Sequence, residues 1–173
     1  QEALKQPNFI RLLHTSTVGV HGHVGDQIAS ENSRFNPGDI YQETKLEAEL
    51  WIRKFATDHG LSFSVVRPAA IYGPGDRRLL KLFKMAAQGW CLKLDHHDTR
   101  YHLIHVEDLV QGMMLCATHP DADGEAFICG NRVHSSLEQI VRTVADELKR
   151  TVHFVSIPSK PVFMLADVCE TVC

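Results

Sequence analysis

The sequence predicts an α/β fold built on a parallel sheet. Short apolar or β-branched runs bounded by turn residues alternate with amphipathic stretches along the whole chain, and such alternation builds strand–helix–strand units rather than a bundle or a sandwich. Size agrees, because 173 residues with 44% hydrophobic and 23% charged content supply a real globular core.

The elements follow in order. Residues 9–14 form an apolar run closed by a Ser/Thr/Gly cluster, the pattern of a buried strand entering a loop. Asn36-Pro37-Gly38-Asp39 marks a turn. From Tyr41 to about residue 59, Leu46, Leu50, Trp51 and Phe55 recur at helical spacing, and Gly60 stands where a C-terminal cap belongs. Residues 61–66 read as a strand that stops at Arg67-Pro68, since proline pushes the residue before it out of helical space. A loop is therefore expected over 67–76.

Residues 77–89 read as a helix, 91–94 and 101–104 as short strands, 107–118 as a helix and 126–129 as a strand. Ser135 or Ser136, followed by Glu138 or Gln139, makes a capping box for a helix to about residue 149. A strand at 152–157 and a helix over 162–173 close the chain.

Composition excludes several classes. A net charge of -3 with scattered Lys and Arg offers no basic stripe for a phosphate backbone, so no nucleic-acid partner is expected. No run of 18 apolar residues exists, and the first seven residues lack a signal-peptide layout, so no membrane partner is expected and the chain reads as cytoplasmic. The five cysteines, Cys91, Cys116, Cys129, Cys169 and Cys173, contain no close chelating pair and read as reduced thiols. Eleven histidines include no helical pair with an intervening carboxylate, so no metal is expected.

The chemistry-bearing residues lie in the first half. Tyr41 and Lys45 are four apart on a helix and share a face. An ammonium near a phenol favours the phenolate, which makes the pair a general acid/base. A hydroxyl to orient a substrate oxygen must come from a neighbouring strand end, where Thr17 and Ser16 stand. Hydroxyl residues are also common at strand ends for structural reasons.

Four segments together resemble the extended short-chain dehydrogenase/reductase family of NAD-dependent epimerases and dehydratases. His14-Thr15-Ser16-Thr17-Val18-Gly19-Val20-His21-Gly22 looks like its serine-rich strand end, with His21 in place of the usual tyrosine. Tyr41-Gln42-Glu43-Thr44-Lys45 matches Tyr-x-x-Ser/Thr-Lys, and Arg67-Pro68-Ala69-Ala70-Ile71-Tyr72-Gly73-Pro74-Gly75 matches the loop beside nicotinamide and substrate. Ile104-His105-Val106-Glu107-Asp108 resembles a later His-Val-x-Asp segment.

The resemblance implies a partial Rossmann-like parallel sheet, the C-terminal half of one, with a small substrate-binding subdomain. Residues 1–76 would form the partial dinucleotide-binding core, and 77–173 a mixed substrate-binding region with the last core elements. Tyr41 would be the acid/base, Lys45 its helper and ribose contact, and Thr17 the group positioning the reacting oxygen. Ser16, Arg67, Pro68, Ala70 and Ile71 would line the cofactor; Val18, Tyr72 and Arg100, with Thr17, would line the substrate. The cofactor would be NAD or NADP, with NAD favoured.

The implied substrate is a nucleotide-sugar, with a ketone reductase of dihydroflavonol or hydroxysteroid type, or a catalytically silent binding or dimerisation fragment, as alternatives. Val18 and Gly19 stand where dehydratases place an Asp-Glu pair, which disfavours elimination. Gly19-x-x-Gly22-x-x-Gly25 has the spacing of a dinucleotide fingerprint, but a polar, Pro-containing stretch follows it instead of a helix. The fingerprint is accordingly expected upstream of an internal fragment, which leaves the strand at 9–14 with an open edge and favours self-association. A homo-oligomer through the 41–59 helix, anchored by Trp51 and Phe55, is expected, unless both rings face the sheet.

Overall fold

The computed structural model describes residues 2–24, 28–95 and 100–159. In chain order the first elements are β1 (Leu12–Thr15), α1 (Ile40–Asp58), β2 (Phe63–Pro68), β3 (Ala70–Tyr72), α2 (Leu80–Gln88) and β4 (Trp90–Leu94). They are followed by β5 (Arg100–Tyr101), β6 (Leu103–His105), α3 (Val106–Thr118), β7 (Ala126–Cys129), β8 (Ser135–Ser136), α4 (Leu137–Glu147) and β9 (His153–Ile157). Two compact units result: residues 1–73 with 102–132, and residues 74–101 with 133–173. The expected second segment, 77–173, thus supplies residues to both.

The first unit holds a parallel sheet in the order β1-β2-β7. Leu12 pairs with Phe63 and Thr15 with Val66, while Val65 pairs with Ala126 and Pro68 with Cys129. All six residues of β2 are buried, as the near-continuous apolar run Phe63-Ser64-Val65-Val66 requires of a strand covered on both faces. Burying Val65 and Val66 completely stabilises the fold by about 1.5–3 kcal/mol each. Among the described residues β1 pairs only with β2, so its outer edge is open.

Alternation along the strands sends side chains to two cores. On one face Ala56 of α1 packs with Phe63 and Val65, joined by Leu12, Leu61 and Ala126. On the other, Leu109 and Cys116 of α3 pack with Val66 and Ile104, joined by Leu13, Ile71, Phe127 and Cys129. Asp39 caps α1 by accepting from Gln42 N at 2.8 Å, and Gln42 Oε1 in return accepts from Gly38 N at 2.8 Å. Trp51, 63% exposed, stacks on Phe55, and Phe55 on His59, so Trp51 lies on the outer face of α1.

In the second unit β4 and β9 pair in parallel, and α2 and α4 bury Ala86, Cys91, Val141, Ala145 and Val152. The expected capping box forms at Ser136 and Gln139. Gly89 ends α2 at φ 82°, a left-handed conformation that glycine adopts without steric cost.

Two local expectations shift. The first strand begins at Leu12, where pairing with Phe63 starts, and the Arg11 side chain donates to the Cys116 and His119 carbonyls. The expected loop 67–76 contains a strand: β3 pairs in parallel with β6, Ala70 opposite Leu103 and Tyr72 opposite His105. Gly19 and Gly22 belong to a 3-10 turn, Val18–His21, and its cap instead of a helix, while Gly25 lies outside the described residues. So do His96, His97, Cys169, Cys173 and the helix expected over 162–173.

Candidate active site

Thr17 follows the C-terminal end of β1 and caps the 3-10 turn, its Oγ1 accepting from Gly19 N at 3.2 Å. That bond uses a lone pair and leaves the hydroxyl proton available for another acceptor. Gly19 lies against the Gln42 side chain, where an added Cβ would sit 3.1 Å from Gln42 Cγ. The turn that begins at Thr17 therefore packs on the first turn of α1, beside Tyr41.

Tyr41 is 59% exposed. Lys45, one helical turn on, is half-buried, and its Nζ donates to Thr15 O at 2.5 Å. This contact ties the ammonium to the end of β1 and leaves further N–H donors on Nζ. The strand end, the Thr17 turn and the Tyr41/Lys45 face of α1 thus converge.

Beneath them lies a buried polar network. Arg67 and Glu49, 1% and 0% exposed, form a two-point ion pair, Nη2 to Oε1 at 2.6 Å and Nε to Oε2 at 3.2 Å. Arg53 Nε donates to the same Glu49 Oε1 at 3.0 Å. Burial alone would raise the Glu49 carboxyl, but Arg67, Ser16 and Arg53 outweigh it and hold the group below the usual carboxylate range. Arg67 also donates to Glu31 O at 2.9 Å and lies 5.0 Å over the Phe35 ring.

Ser16 is buried, and its Oγ makes no hydrogen bond of ordinary length although it lies near enough to help keep Glu49 ionised. His14 Nε2 is likewise buried without a partner. Burial of the ring, followed by the nearby Lys45 ammonium, lowers the His14 pKa despite the Glu49 carboxylate.

The loop residues separate by position. Arg67 turns its guanidinium inward to Glu49, Pro68 is buried and Ala70 is exposed. Ile71 packs in the core under α3, and the Tyr72 ring meets His105 edge-on at 5.2 Å. Gly73 passes so close to α3 that a Cβ would sit 2.7 Å from Val106 Cγ1. Val18 is half-buried in the turn after Thr17. Arg100 is in the second unit, exposed, with Nη1 donating to His134 Nε2 at 3.2 Å.

Reasoning from the sequence misses Glu49, Glu31 and Phe35. Glu49 carried a readable signal, since it stands four residues after Lys45 and eight after Tyr41 on one helix face. Arg67 inside an apolar strand carried another, because a buried guanidinium needs a carboxylate.

A parallel β1-β2-β7 sheet whose strand end meets a Tyr–Lys helix face defines a Rossmann-like α/β protein of the epimerase/dehydratase type. The chain belongs to the NAD dependent epimerase/dehydratase family, which it matches over residues 1–130. It is 26% identical over 153 residues to UDP-glucose 4-epimerase of Vibrio cholerae, covering 86% of this chain and 46% of that one. It is 30% identical over 128 residues to 3 beta-hydroxysteroid dehydrogenase/Delta 5-->4-isomerase of Mycobacterium tuberculosis, covering 70% of this chain and 34% of that one. The fold matches dTDP-glucose 4,6-dehydratase of Bacillus anthracis in complex with NAD, with a TM-score of 0.72, 20% identity and coverage of 90% and 52%. The chain spans less than half the length of these curated relatives.

Proposed function

We propose that this chain carries the proton-transfer half of an NAD(P)-dependent oxidoreductase or epimerase acting on a nucleotide-sugar. The observation that carries the reading is the Lys45–Thr15 contact, which fixes the Tyr41/Lys45 face against the strand end that delivers Thr17. The fold neighbour bound to NAD and the UDP-glucose 4-epimerase relative support cofactor and substrate class.

The residues present suit such a group: an exposed phenol and a half-buried ammonium with spare donors share one helix face. When bound, the nicotinamide would supply the hydride chemistry. Tyr41 then exchanges a proton with the substrate hydroxyl. Thr17, with Oγ1 occupied by Gly19 N–H, donates its hydroxyl proton to the reacting oxygen and orients it. Lys45 holds positive charge beside the phenol and offers donors to the cofactor ribose. Ser16, Pro68, Ala70 and Ile71 border the cofactor in this reading, with Val18 and Tyr72 on the substrate side. A cytoplasmic homo-oligomer completes the proposal.

The hydroxysteroid dehydrogenase relative favours a second reading, reduction of a ketone on an apolar substrate. Calorimetric titration of NAD(H), NADP(H) and UDP-glucose into the chain tests both. Saturable dinucleotide and UDP-glucose binding, weakened by Lys45→Met, supports the first. Dinucleotide binding without UDP-glucose binding favours the second; binding of no dinucleotide assigns the chain the catalytic and substrate side alone, and dinucleotide binding unaltered in Lys45→Met overturns the role given to Lys45.

A further inference from the structure

His21 ends the 3-10 turn that Thr17 caps, and it is 1% exposed. Both ring nitrogens are engaged: Nε2 is 3.0 Å from Arg67 Nη1, and Nδ1 is 3.3 Å from Arg34 O. A guanidinium has only donors, so Nε2 must accept from Arg67. The carbonyl of Arg34 can only accept, so Nδ1 must carry the proton. The ring is thereby fixed as one neutral tautomer.

An imidazolium would present Nε2–H to Nη1–H, removing the bond and placing two like charges together out of water. Space offers no retreat. The ring stacks on Phe35 at 5.5 Å, and the same Phe35 lies under Arg67. Gly22, at φ 60°, passes so close to Asn36 that an added Cβ would sit 1.9 Å from its carbonyl oxygen. Asn36 N donates to Val20 O at 3.0 Å, fastening the loop before α1 to the turn that holds His21.

The charged groups around the ring come from three elements. Arg67 faces it from β2, and Glu49 and Arg53 stand behind Arg67 on α1. The loop contributes the Arg34 and Glu31 carbonyls, while the Glu31 carboxylate is occupied by Ile128 N of β7 at 3.0 Å. The Glu49 carboxylate is directed at Arg67 and Arg53, and among the described residues no carboxylate hydrogen-bonds the imidazole. A cavity of about 400 Å³ lined by Glu31, Phe35, Arg53 and Arg67 adjoins the network.

We propose that His21 is a positioning residue: with its proton on Nδ1 and Nε2 accepting from Arg67, it acts through Arg67 and Glu49 to hold the Thr17 turn against the helix that carries Tyr41 and Lys45. The inference rests on the reading of Thr17 and Tyr41 as reacting residues.

The test uses the 173-residue chain, labelled with ¹⁵N in its histidine rings, together with His21→Gln and His21→Leu. Gln keeps an acceptor for Arg67. Leu provides none. At neutral pH the His21 nitrogens should report the Nδ1–H tautomer. Amide exchange over 17–22 and 41–45 should be slow in the parent chain.

In His21→Gln that exchange should stay slow. In His21→Leu it should be faster by roughly tenfold or more, the factor expected when a buried donor loses its partner. An Nε2–H tautomer, or exchange in His21→Leu no faster than in His21→Gln, would overturn the proposal. Should His21→Leu fail to fold, the ring spectrum and the Gln variant still decide the question. Failure of the hydride-transfer reading would appear separately, as dinucleotide binding unaltered by Lys45→Met with these readouts unchanged.

Discussion

Glu49 on α1 and Arg67 on β2 grip each other through two hydrogen bonds, 2.6 and 3.2 Å long, with both side chains withdrawn from solvent. This pair joins the helix that carries Tyr41 and Lys45 to the middle strand of the sheet. Breaking one partner strands the other charge in the core, which costs far more than the intact pair contributes. Glu49→Gln should therefore lower the unfolding free energy by about 3–5 kcal/mol. Urea unfolding measures it, and the Glu49→Met/Arg67→Met double variant should lose less than the sum of the single losses.

Acid should weaken the fold in two windows. The His14 pKa lies below its ordinary 6.5 and that of Glu49 below its ordinary 4.5. In both cases the unfolded chain binds more protons, so stability rises with pH. His14 contributes stability that is complete above 6.5 and lost as pH falls through its lowered folded value; Glu49 behaves likewise below 4.5. Urea midpoints followed from neutral pH to pH 3 should show both losses. His14→Gln should abolish the upper one and leave the lower.

Turnover should depend on the Tyr41 hydroxyl. On the proposed reading, Tyr41→Phe should reduce kcat by about 10²- to 10⁴-fold, the range for a lost general acid/base. Unchanged turnover would remove Tyr41 from the reaction, whatever the cofactor affinity.

The open edge of β1 should make the purified chain associate as concentration rises, since unpaired backbone groups template further pairing. Light scattering should show the mass growing. Ile10→Lys, which puts a charge at a 76% exposed position beside that edge, should suppress the growth; equal association in both chains would point to another surface.

Cys129 should resist alkylation. Burial raises its thiol to about 11, and burial also raises Cys91 and Cys116, so little thiolate exists near pH 8. Peptide mapping after iodoacetamide treatment should find these three sites labelled slowly in the folded chain and fully in urea.

The sheet was legible because its strands announce themselves: Phe63-Ser64-Val65-Val66 ends at a proline, and 126–129 lies between glycines. The Tyr41/Lys45 face was legible from helical spacing alone. The pairing of β3 with β6 was not, since three residues in a Pro/Gly-rich stretch carry no periodicity and owe their strand geometry to a partner more than thirty positions away. The inward turn of Arg67 was hidden for a similar reason. A loop motif gives the residue types in order, but the Glu49 carboxylate that captures the guanidinium comes from another element.

The division into units has a topological consequence. The backbone passes between them at 73/74, 101/102 and 132/133, so a single proteolytic nick at any one crossing leaves two covalent tethers in place. Neither unit can be excised as one uninterrupted peptide. The excursion 74–101 leaves after β3 and returns just before β6, whose pairing is anchored by Ala70 N donating to His102 O at 3.1 Å. Its length and side chains can therefore change without changing the register of β1, β2 and β7.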